Sequence, residues 1–523
     1  MVERLLHSLA ESGISVKPEG DMLRVKAQEG QIPPVLLDRI KANKPLLLAY
    51  LRKLEAEKYL RESINSVIQG DCLAALKQLP DNSVDLLATD PPYGYGFMGK
   101  KWDKALPNPE IWEESLRILT PGAFSFIMAA PRQDVLCRMI ITLEEVGFKT
   151  GFTSLYWTYA AGFPKAHNIG KAVDRKLSAK RKVLFEKVMP DMRGNNYGQG
   201  RHRYKKVNVE YTFPETKEAK QLEGSYAGFQ PKPAVEVILV VMKPLDRKTY
   251  TDQALHNGKG VTWMDDCRIP YVDKATSVKN YHCHDRGGGN DSKPQWHQKV
   301  GVQWSPEKQW KQDIERQAHE KGRFPANQLV SDNVLDDGRN HKDGTFPRQR
   351  GRTDYFGLNN FYSDRIGQIG DSGTYSRFFS LDAWVDLNLK DLPELVQHNL
   401  PYLIVPKASS REKNAGVEDI AETPTKGRDE EQDSRNVSQK GKPFKRRNIH
   451  PTVKPIQLMA YLVTMGSRED DIVLDPFAGS GSTLIAAQML KRRFIGIELE
   501  KEYHEIAVRR LVYHANSIAK GKV

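Results

Sequence analysis

Short apolar runs recur along the chain and alternate with segments whose apolar residues have helical spacing. The runs end in turn residues or acids, which predicts buried strands. They are Val67–Gln69, Val84–Thr89, Ala123–Met128, Thr153–Tyr159, Val235–Met242, Ile472–Leu474 and Arg493–Glu498. Helical spacing is found at Leu73–Leu79, Gln133–Glu145 and Ser482–Leu490. Strands that alternate with helices predict an α/β fold with a doubly wound, mostly parallel sheet.

Residues 1–56 have a different pattern, which predicts a separate small α+β module. Its predicted elements are a helix that ends at Gly13, a hairpin made of Ile14–Val16 and Leu23–Val25, and helices over 34–42 and 44–53. This plan, with the segments Glu19–Val25 and Lys44–Leu48, resembles the TubC-type amino-terminal docking domain. The resemblance implies a protein partner, and a cap that only stabilises the chain is the alternative.

Two predicted strands end in motifs that carry polar groups. Val84–Thr89 runs into Asp90-Pro91-Pro92-Tyr93, where the prolines cannot continue a ladder. Ile472–Leu474 runs into Asp475-Pro476-Phe477-Ala478-Gly479-Ser480-Gly481 and then into a helix. Because ligands bind at the carboxyl ends of strands in open α/β sheets, both motifs are expected to line one cavity. For the first motif taken alone, a strand that ends in an ordinary turn is the alternative.

The strand after the glycine turn ends in a second acid, Glu498. Two consecutive strands that each end in a carboxylate and are joined by a helix predict a site for an adenosine nucleoside. The glycines allow close approach of the backbone, and amides at the start of the helix can face a carboxylate. The turn is not Gly-x-Gly-x-x-Gly and no lysine follows Gly481, which disfavours a nicotinamide dehydrogenase and a P-loop protein.

Asp90-Pro91-Pro92-Tyr93 resembles the catalytic motif of the amino-group DNA methyltransferases, which methylate N6 of adenine or N4 of cytosine. Further matches in the family's order are Gly162-Phe163-Pro164-Lys165, Lys232-Pro233-Ala234-Val235-Glu236 and His450-Pro451-Thr452-Val453-Lys454-Pro455. Since the catalytic motif precedes the glycine turn, the chain resembles the beta class, a circular permutation. The resemblance implies a Rossmann-like, S-adenosylmethionine-dependent methyltransferase fold with a target-recognition region inserted between its halves.

The same resemblance implies roles for individual residues. Asp90 and the Pro91 carbonyl would accept the N–H groups of the exocyclic amine, and Tyr93 would stack on a flipped base; with Pro92 they are the expected catalytic residues. The residues expected to bind S-adenosylmethionine are Asp71, Thr452, Lys454, Asp475, Phe477, Gly479, Gly481 and Glu498. Asp71 would face the cofactor's adenine and Glu498 its ribose. Asp71 and Thr452 also have a local alternative as residues that begin helices.

The motifs divide the rest of the chain into a catalytic half (60–243), a target-recognition region (244–400) and a cofactor-binding half (401–523). A basic insertion without sustained periodicity, 178–231, interrupts the catalytic half. Residues expected to bind DNA are Lys165, Arg201, Arg203, Lys205 and Lys206. Basic residues interleaved with aromatic ones suit a nucleic-acid surface, and a solvated loop is the alternative. The charged segment 424–447 is expected to be a mobile loop.

Composition adds a few limits. The 523 residues include 79 Lys and Arg against 66 Asp and Glu, and the net charge of +13 is compatible with a phosphate-backbone partner without being diagnostic. The cysteines form no CxxC pair, and Cys283 between two histidines offers poor tetrahedral geometry, so no metal site is expected. A reducing, cytoplasmic setting is the simple interpretation. No apolar run approaches the roughly 18 residues of a membrane span.

The expected function is site-specific transfer of a methyl group from S-adenosylmethionine to N6 of a flipped-out adenine in duplex DNA. The aspartate at the start of the catalytic motif favours adenine, because many cytosine-N4 enzymes carry serine there. Cytosine-N4 methylation is the nearest alternative. A non-catalytic DNA-binding or docking protein on a methyltransferase scaffold is the alternative of another class, and an RNA or protein methyltransferase is a third. Recognition sequence, restriction-modification context and oligomeric state, monomer or dimer, stay open.

Overall fold

The computed structural model describes most of the chain outside its middle third. The described residues are 2–28, 32–94, 103–158, 167–190, 206–228, 235–269, 324–330, 341–342, 372–373, 384–385, 408, 410–420, 423–424 and 445–519. The helices are α1 (Val2–Glu11), α2 (Pro34–Ala42), α3 (Lys44–Ser63), α4 (Cys72–Leu76), α5 (Pro109–Ile118), α6 (Gln133–Val146), α7 (Ile169–Lys176), α8 (Lys217–Gln221), α9 (Tyr250–Asn257), α10 (Ser410–Asn414), α11 (Ile456–Gly466), α12 (Ser482–Met489) and α13 (Lys501–Ala519).

The strands comprise those that the apolar runs predicted and several more. They are β1 (Ile14–Glu19), β2 (Met22–Ala27), β3 (Ser66–Gln69), β4 (Leu86–Thr89), β5 (Phe124–Ala129), β6 (Leu155–Thr158), β7 (Lys182–Pro190), β8 (Lys206–Phe213), β9 (Val235–Met242), β10 (Gln328–Val330), β11 (His341–Lys342), β12 (Ser372–Gly373), β13 (Thr423–Pro424), β14 (Lys445–Arg446), β15 (Ile472–Asp475) and β16 (Arg493–Glu498). All the predicted strands of the α/β part are therefore present, with ends that move by a few residues.

One eight-stranded sheet carries the fold, in the order β10-β6-β9-β5-β4-β15-β16-β3. Within it β9 runs antiparallel to both of its neighbours, and the other pairings are parallel. In the middle, Leu86 of β4 pairs with Val473 of β15 although the two lie in opposite halves of the chain. The predicted mostly parallel sheet and its permuted order are thereby confirmed.

Helices cover both faces of this sheet, as expected for strands that are buried on both sides. Leu86 and Ala88 of β4 lie in one apolar cluster, together with most of α11 and α12. Leu87 lies in the other cluster, which contains side chains of α4, α5 and α6. Successive residues of a strand point to opposite faces, so one four-residue strand contributes to both cores.

The amino-terminal module has the predicted helix, hairpin and two helices. Its core contains Leu5, Leu9, Ile14, Ile40 and Leu47. The helix predicted for 44–53 is longer than expected, because α3 continues to Ser63 and packs Tyr59 and Leu60 against the second core of the main sheet. One helix therefore belongs to both hydrophobic cores, and the local pattern did not show where it ends.

The basic insertion contains regular structure that the sequence pattern did not indicate. Strands β7 and β8 form an antiparallel hairpin with one irregularity in register. The buried carboxylate of Asp174 in α7 ties this hairpin to α8, since it accepts bonds from Arg181 Nη1 and from the Thr216 backbone and hydroxyl. Val183, Leu184 and Phe213 are exposed, so the hairpin side chains whose burial is described do not follow the alternation that makes a strand readable in the sequence.

Some described parts of 244–400 pack on the main sheet and its helices. Strand β10 extends the main sheet at the edge formed by β6. Trp384 is fully buried, stacks edge-on against Tyr461 of α11 at 4.9 Å, and donates its indole N–H to the Asp266 carbonyl. Most of the predicted recognition region, 244–400, lies outside the described residues. The same holds for most of the segment 401–409 and for residues 425–444 of the predicted loop 424–447. The domain boundaries stay predictions.

A search of the described helices finds none whose length and apolar character would allow it to cross a membrane.

Candidate active site

The carboxyl ends of β4 and β15 meet in the middle of the sheet. Thr89, the last residue of β4, donates its hydroxyl to Asp475 Oδ1 at 2.6 Å, and both side chains are buried. Asp90 follows Thr89 directly, so its carboxylate lies beside that of Asp475, which it influences electrostatically. The two motifs singled out in the sequence, the proline tetrad and the glycine turn, therefore share one edge of the sheet.

Asp90 lies in a cluster of four polar side chains. Tyr93 donates its hydroxyl to Asp90 Oδ1 at 2.6 Å, and Lys454 donates its ammonium to Asp90 Oδ2 at 2.5 Å. Glu236, from β9, is 3.3 Å from Lys454 Nζ and 3.4 Å from the Tyr93 hydroxyl. Lys454 also lies 5.5 Å from the centre of the Tyr93 ring. The cluster joins the proline tetrad to a segment that follows it by more than 350 residues.

The backbone after the tetrad is held in place by another carboxylate. Asp103 accepts bonds from the Tyr93 N–H at 2.7 Å and from the Gly94 N–H at 3.1 Å. Asp103 is itself buried. These bonds fix the turn that carries the Tyr93 ring.

Burial dominates the electrostatics of the cluster. It raises the pKa of Asp90, an effect that Lys454 opposes and Glu236 reinforces. Burial also raises the pKa of Tyr93 well above its ordinary value, and the two neighbouring carboxylates add to this. For Lys454, burial alone would lower the pKa, but Asp90 and Glu236 outweigh it and raise the pKa. Lys454 is therefore the cation that offsets the negative charge of the pocket.

The glycine turn holds two further carboxylates. Glu498 accepts N–H bonds from Gly479 and from Glu500, both at 2.8 Å. Burial raises the pKa of Glu498 to about 7 even though these two bonds oppose the shift. Burial likewise raises the pKa of Asp475 to about 6, against the bonds it accepts from the Thr89 hydroxyl and the Phe477 N–H.

Glycine is required at one position of this turn. Gly479 has φ of +53°, and a Cβ there would come within 2.7 Å of His450 Nε2. The His450 ring also packs edge-on against Tyr503 of α13, with ring centres 4.6 Å apart. The segment that carries Thr452 and Lys454 is thus seated against the glycine turn.

The residues present fit S-adenosylmethionine. The turn at Gly479 exposes backbone without a side chain, and the buried carboxylate of Glu498 has lone pairs left to accept hydroxyl donors. Asp475 lies between Glu498 and the Asp90 cluster, and the hydrogen bond from Thr89 connects it to that cluster. Backbone without a side chain and a hydroxyl acceptor at neighbouring strand ends suit an adenosine nucleoside.

The other predicted residues have simpler surroundings. Asp71 is exposed and accepts the Ala74 N–H at 2.9 Å, so it caps α4, as its local alternative held. Thr452 is partly buried and does not begin a helix, because α11 starts at Ile456 after the N-cap Pro455. Phe477 packs against Trp112, with ring centres 6.1 Å apart. The predicted catalytic residues (Asp90, Pro91, Pro92 and Tyr93) and the predicted cofactor ligands (Asp71, Thr452, Lys454, Asp475, Phe477, Gly479, Gly481 and Glu498) all stay predictions.

The predicted DNA-binding residues are not placed. Lys165, Arg201, Arg203 and Lys205 lie outside the described residues, and Lys206 is described only as the first residue of β8.

Three residues of the site were not among the predicted ones. Glu236 belongs to the quoted Lys-Pro-Ala-x-Glu match, and only the sheet order, which puts β9 beside β5, brings it near Asp90. Asp103 has no sequence signal of its own. Arg510 of α13 is fully buried and donates to the Ser480 carbonyl and hydroxyl, which supports the glycine turn from below. In the sequence it looks like any charged residue of a helix.

Comparison with known proteins agrees with this geometry. A family model described as DNA methylase, for the N6 and N4 enzymes, matches residues 84–509. The chain belongs to this DNA methylase family. The family depends on S-adenosyl-L-methionine, which confirms the predicted cofactor. A second family model, the TubC N-terminal docking domain, matches residues 2–53. Both resemblances noted in the sequence are thereby confirmed.

Individual relatives match over short stretches. The type II methyltransferase M2.DpnII of Streptococcus pneumoniae is 52% identical over 62 residues, which are 12% of this chain and 23% of that protein. M.HindIII of Haemophilus influenzae is 46% identical over 76 residues, 14% of this chain and 25% of its own length. The chain thus spans about a quarter of the length of the curated relatives it matches.

Solved structures align over more of the chain with low similarity. The cytosine-N4-specific PvuII DNA methyltransferase is 13% identical, with a TM-score of 0.33 over 88% of this chain and 96% of that one. TTHA0409 of Thermus thermophilus, complexed with S-adenosyl-L-methionine, is 15% identical, with a TM-score of 0.30 over 86% and 95% of the two chains.

Proposed function

We propose that the protein is a site-specific DNA methyltransferase that transfers a methyl group to N6 of a flipped-out adenine in duplex DNA. The observation that carries this proposal is the meeting of two strand ends, where Thr89 bonds to Asp475 and Asp90 follows directly. An acceptor for an exocyclic amine and a cofactor turn are thus side by side. Membership in the DNA methylase family supports the class of reaction.

Asp90 has the chemistry needed to activate a poor nucleophile. The lone pair of an exocyclic amine is delocalised into the base ring, and it becomes available when the nitrogen turns tetrahedral. Acceptance of the two N–H groups by the Asp90 carboxylate and the Pro91 carbonyl favours that shape, and it aims the lone pair out of the ring plane. Positioning and electrostatics suffice for this, without a covalent bond to the protein.

Bound S-adenosylmethionine supplies an electrophilic methyl group on its sulfonium. Glu498 is proposed to accept the hydroxyls of its ribose, and the backbone at Gly479 to lie against it. Asp475 lies between Glu498 and the Asp90 cluster and is proposed to contact the cofactor as well. A base must leave the duplex to reach Asp90, and the Tyr93 ring beside that carboxylate is the proposed stacking surface.

The remaining partners follow from charge and from the amino-terminal module. The net charge of +13 favours binding to the DNA backbone. We infer that the module over residues 2–53 contacts a protein partner, because it matches a docking-domain model. The free thiols of Cys72, Cys137 and Cys267 fit a reducing, cytoplasmic setting.

The product identifies the target base. Duplex DNA is incubated with the full-length protein and S-adenosylmethionine, digested to nucleosides and analysed by mass spectrometry. N6-methyladenine is the expected product, since the tetrad begins with aspartate. N4-methylcytosine alone would replace the adenine proposal by its alternative, and no methylated base with DNA binding retained would support the non-catalytic one. RNA offered in competition with DNA tests the substrate class.

A further inference from the structure

The Asp90 cluster holds one cation shared between two acids. Lys454 approaches from the segment before α11, and its Nζ is 2.5 Å from Asp90 Oδ2 and 3.3 Å from Glu236 Oε2. Lys454 and Glu236 are both buried, and they come from different parts of the fold, since Glu236 lies in β9. The ammonium therefore has two acceptors within reach and needs only a small rotation to favour either.

This sharing matters for a carboxylate that must bind an amine. Methylation makes the amine nitrogen more positive, and an uncompensated carboxylate stabilises that charge best. An ammonium bonded to the same carboxylate cancels part of the effect. Without any cation, however, a buried carboxylate near a second acid tends to take up a proton and cease to be an acceptor. Asp90 therefore needs a close interaction with the cation before the amine binds and a weaker one afterwards.

We propose that Lys454 is a positioning residue that keeps Asp90 ionised until a target base arrives, and that Glu236 receives the ammonium when the exocyclic amine binds Asp90. This inference rests on the proposed function and concerns the same pocket. Tyr93 can hold Asp90 in both states, because its hydroxyl is 2.6 Å from Asp90 Oδ1 and 3.4 Å from Glu236 Oε2.

The titratable groups that face Asp90 support this division of roles. They are the charged groups of Lys454, of Glu236 on β9 and of Asp475 on the neighbouring strand, and the neutral hydroxyl of Tyr93 in the loop after β4. Burial raises the pKa of Asp90, Lys454 lowers it, and Glu236 raises it. Removal of Lys454 and removal of the Glu236 charge should therefore change the ionisation of Asp90 in opposite directions.

The test measures single-turnover methyl transfer to duplex DNA against pH for the full-length wild type, K454M and E236Q. In K454M the acid limb of the profile should move up by about one pH unit or more, because Asp90 loses its cation. In E236Q it should move down, and the KM for DNA should rise about tenfold, since Lys454 then has Asp90 alone. The affinity for S-adenosylmethionine should stay within about threefold of the wild-type value in both variants.

The chain offers a matched control in Lys259, which is also shared by two carboxylates, Asp85 and Asp471, at 3.0 and 2.9 Å. K259M should leave the acid limb where it is. K454R keeps the charge and should restore the acid limb toward that of the wild type. If K454M does not fold, the test compares K454R and E236Q with the wild type instead. The acid limb should then shift in E236Q and stay in place in K454R.

Some results would overturn the inference. These are equal shifts in K454M and E236Q, no shift in K454M, or a more than tenfold loss of cofactor affinity with an unchanged limb, which would make Lys454 a cofactor ligand. A wild type that methylates no DNA would refute the proposed function instead. Thermal unfolding then still decides the inference. The changes in Tm caused by K454M should be non-additive with those of D90N and E236Q by about 2 °C or more, and additive changes would refute the sharing.

Discussion

The two ends of the strand pair β4 and β15 carry nearly the same set of charges. At the amino end, Lys259 lies between Asp85 and Asp471, and at the carboxyl end Lys454 lies between Asp90 and Glu236. The six side chains are similarly buried, between 10% and 20% exposed. Charge and burial alone therefore do not distinguish a structural cluster from a functional one.

The difference lies in what else the carboxylates bind. At the amino end, Asp85 accepts the Ile472 N–H and Asp471 accepts the Arg468 N–H, so both are fixed to the backbone. At the carboxyl end, Asp90 bonds to the side chains of Tyr93 and Lys454, which can rotate. Backbone bonds make the first cluster a clamp between strands, whereas side-chain bonds let the second exchange a partner.

The largest expected effect is that of Asp90→Asn. It removes the negative charge that the amine needs, so the rate of methyl transfer should fall about 100-fold or more, while cofactor affinity changes little. Asp85→Asn is the matched change at the other end, and it should lower Tm with turnover nearly intact. Single-turnover assays and thermal unfolding measure both. Substantial turnover by D90N would remove Asp90 from its assigned role.

A second effect concerns stability against pH. The folded-state pKa of Glu498, about 7, and that of Asp475, about 6, are raised above their ordinary values of 4.5 and 3.8. The folded protein thus holds more protons than the unfolded one in this range, and the stability that these two acids contribute is greatest below pH of about 4 and falls as pH rises to about 7. Each acid should contribute roughly 3 kcal/mol to this fall, since one pKa unit corresponds to about 1.4 kcal/mol.

Denaturant unfolding of the cofactor-free protein between pH 4 and 8 measures that contribution. Other acids with lowered pKa values, such as Asp174, work in the opposite direction. The measurement that isolates Glu498 is therefore the difference in free energy of unfolding between wild type and E498Q. The variant should be the more stable at high pH, and the difference should vanish at low pH. A pH-independent difference would contradict the raised pKa of Glu498.

The next effect is on cofactor affinity. Glu498→Gln should weaken binding of S-adenosylmethionine about tenfold at pH 8, because a neutral amide accepts hydroxyl bonds less strongly than a carboxylate. In the wild type, affinity should rise as pH passes through about 7, where Glu498 ionises, and E498Q should lose this rise. Isothermal titration calorimetry at several pH values tests it. An unchanged affinity would separate Glu498 from the cofactor.

The smallest effect is expected for Lys259→Met. Loss of the shared ammonium leaves Asp85 and Asp471 bonded to backbone donors, so the free energy of unfolding should fall by only about 1 kcal/mol. Turnover per folded molecule should stay within about twofold, by contrast with K454M. If K259M impaired catalysis as strongly as K454M, the two ends of the strands would not differ in the way proposed.

Local patterns allowed much of this to be predicted. The strand ends at Asp90 and Asp475 were readable because a proline follows each acid and stops the apolar run, and the end at Glu498 was readable because an acid closes the run. The hairpin β7–β8 was not readable, since its apolar side chains include exposed ones. Arg510 was not readable either, because a buried arginine in a helix has the same local pattern as a solvated one.

The sequence by itself determined the strands and helices around the main sheet and the acids at its strand ends, because these depend on neighbours along the chain. The need for glycine at 479 depends also on His450, which only the tertiary structure brings against it. Only the tertiary structure decided that Glu236 and Lys454 meet Asp90, while Asp85, five residues earlier, meets Lys259 instead. Pairing of strands from opposite halves of the chain sets those distances. Such pairing depends on packing across the whole sheet, which the sequence of a single segment does not specify.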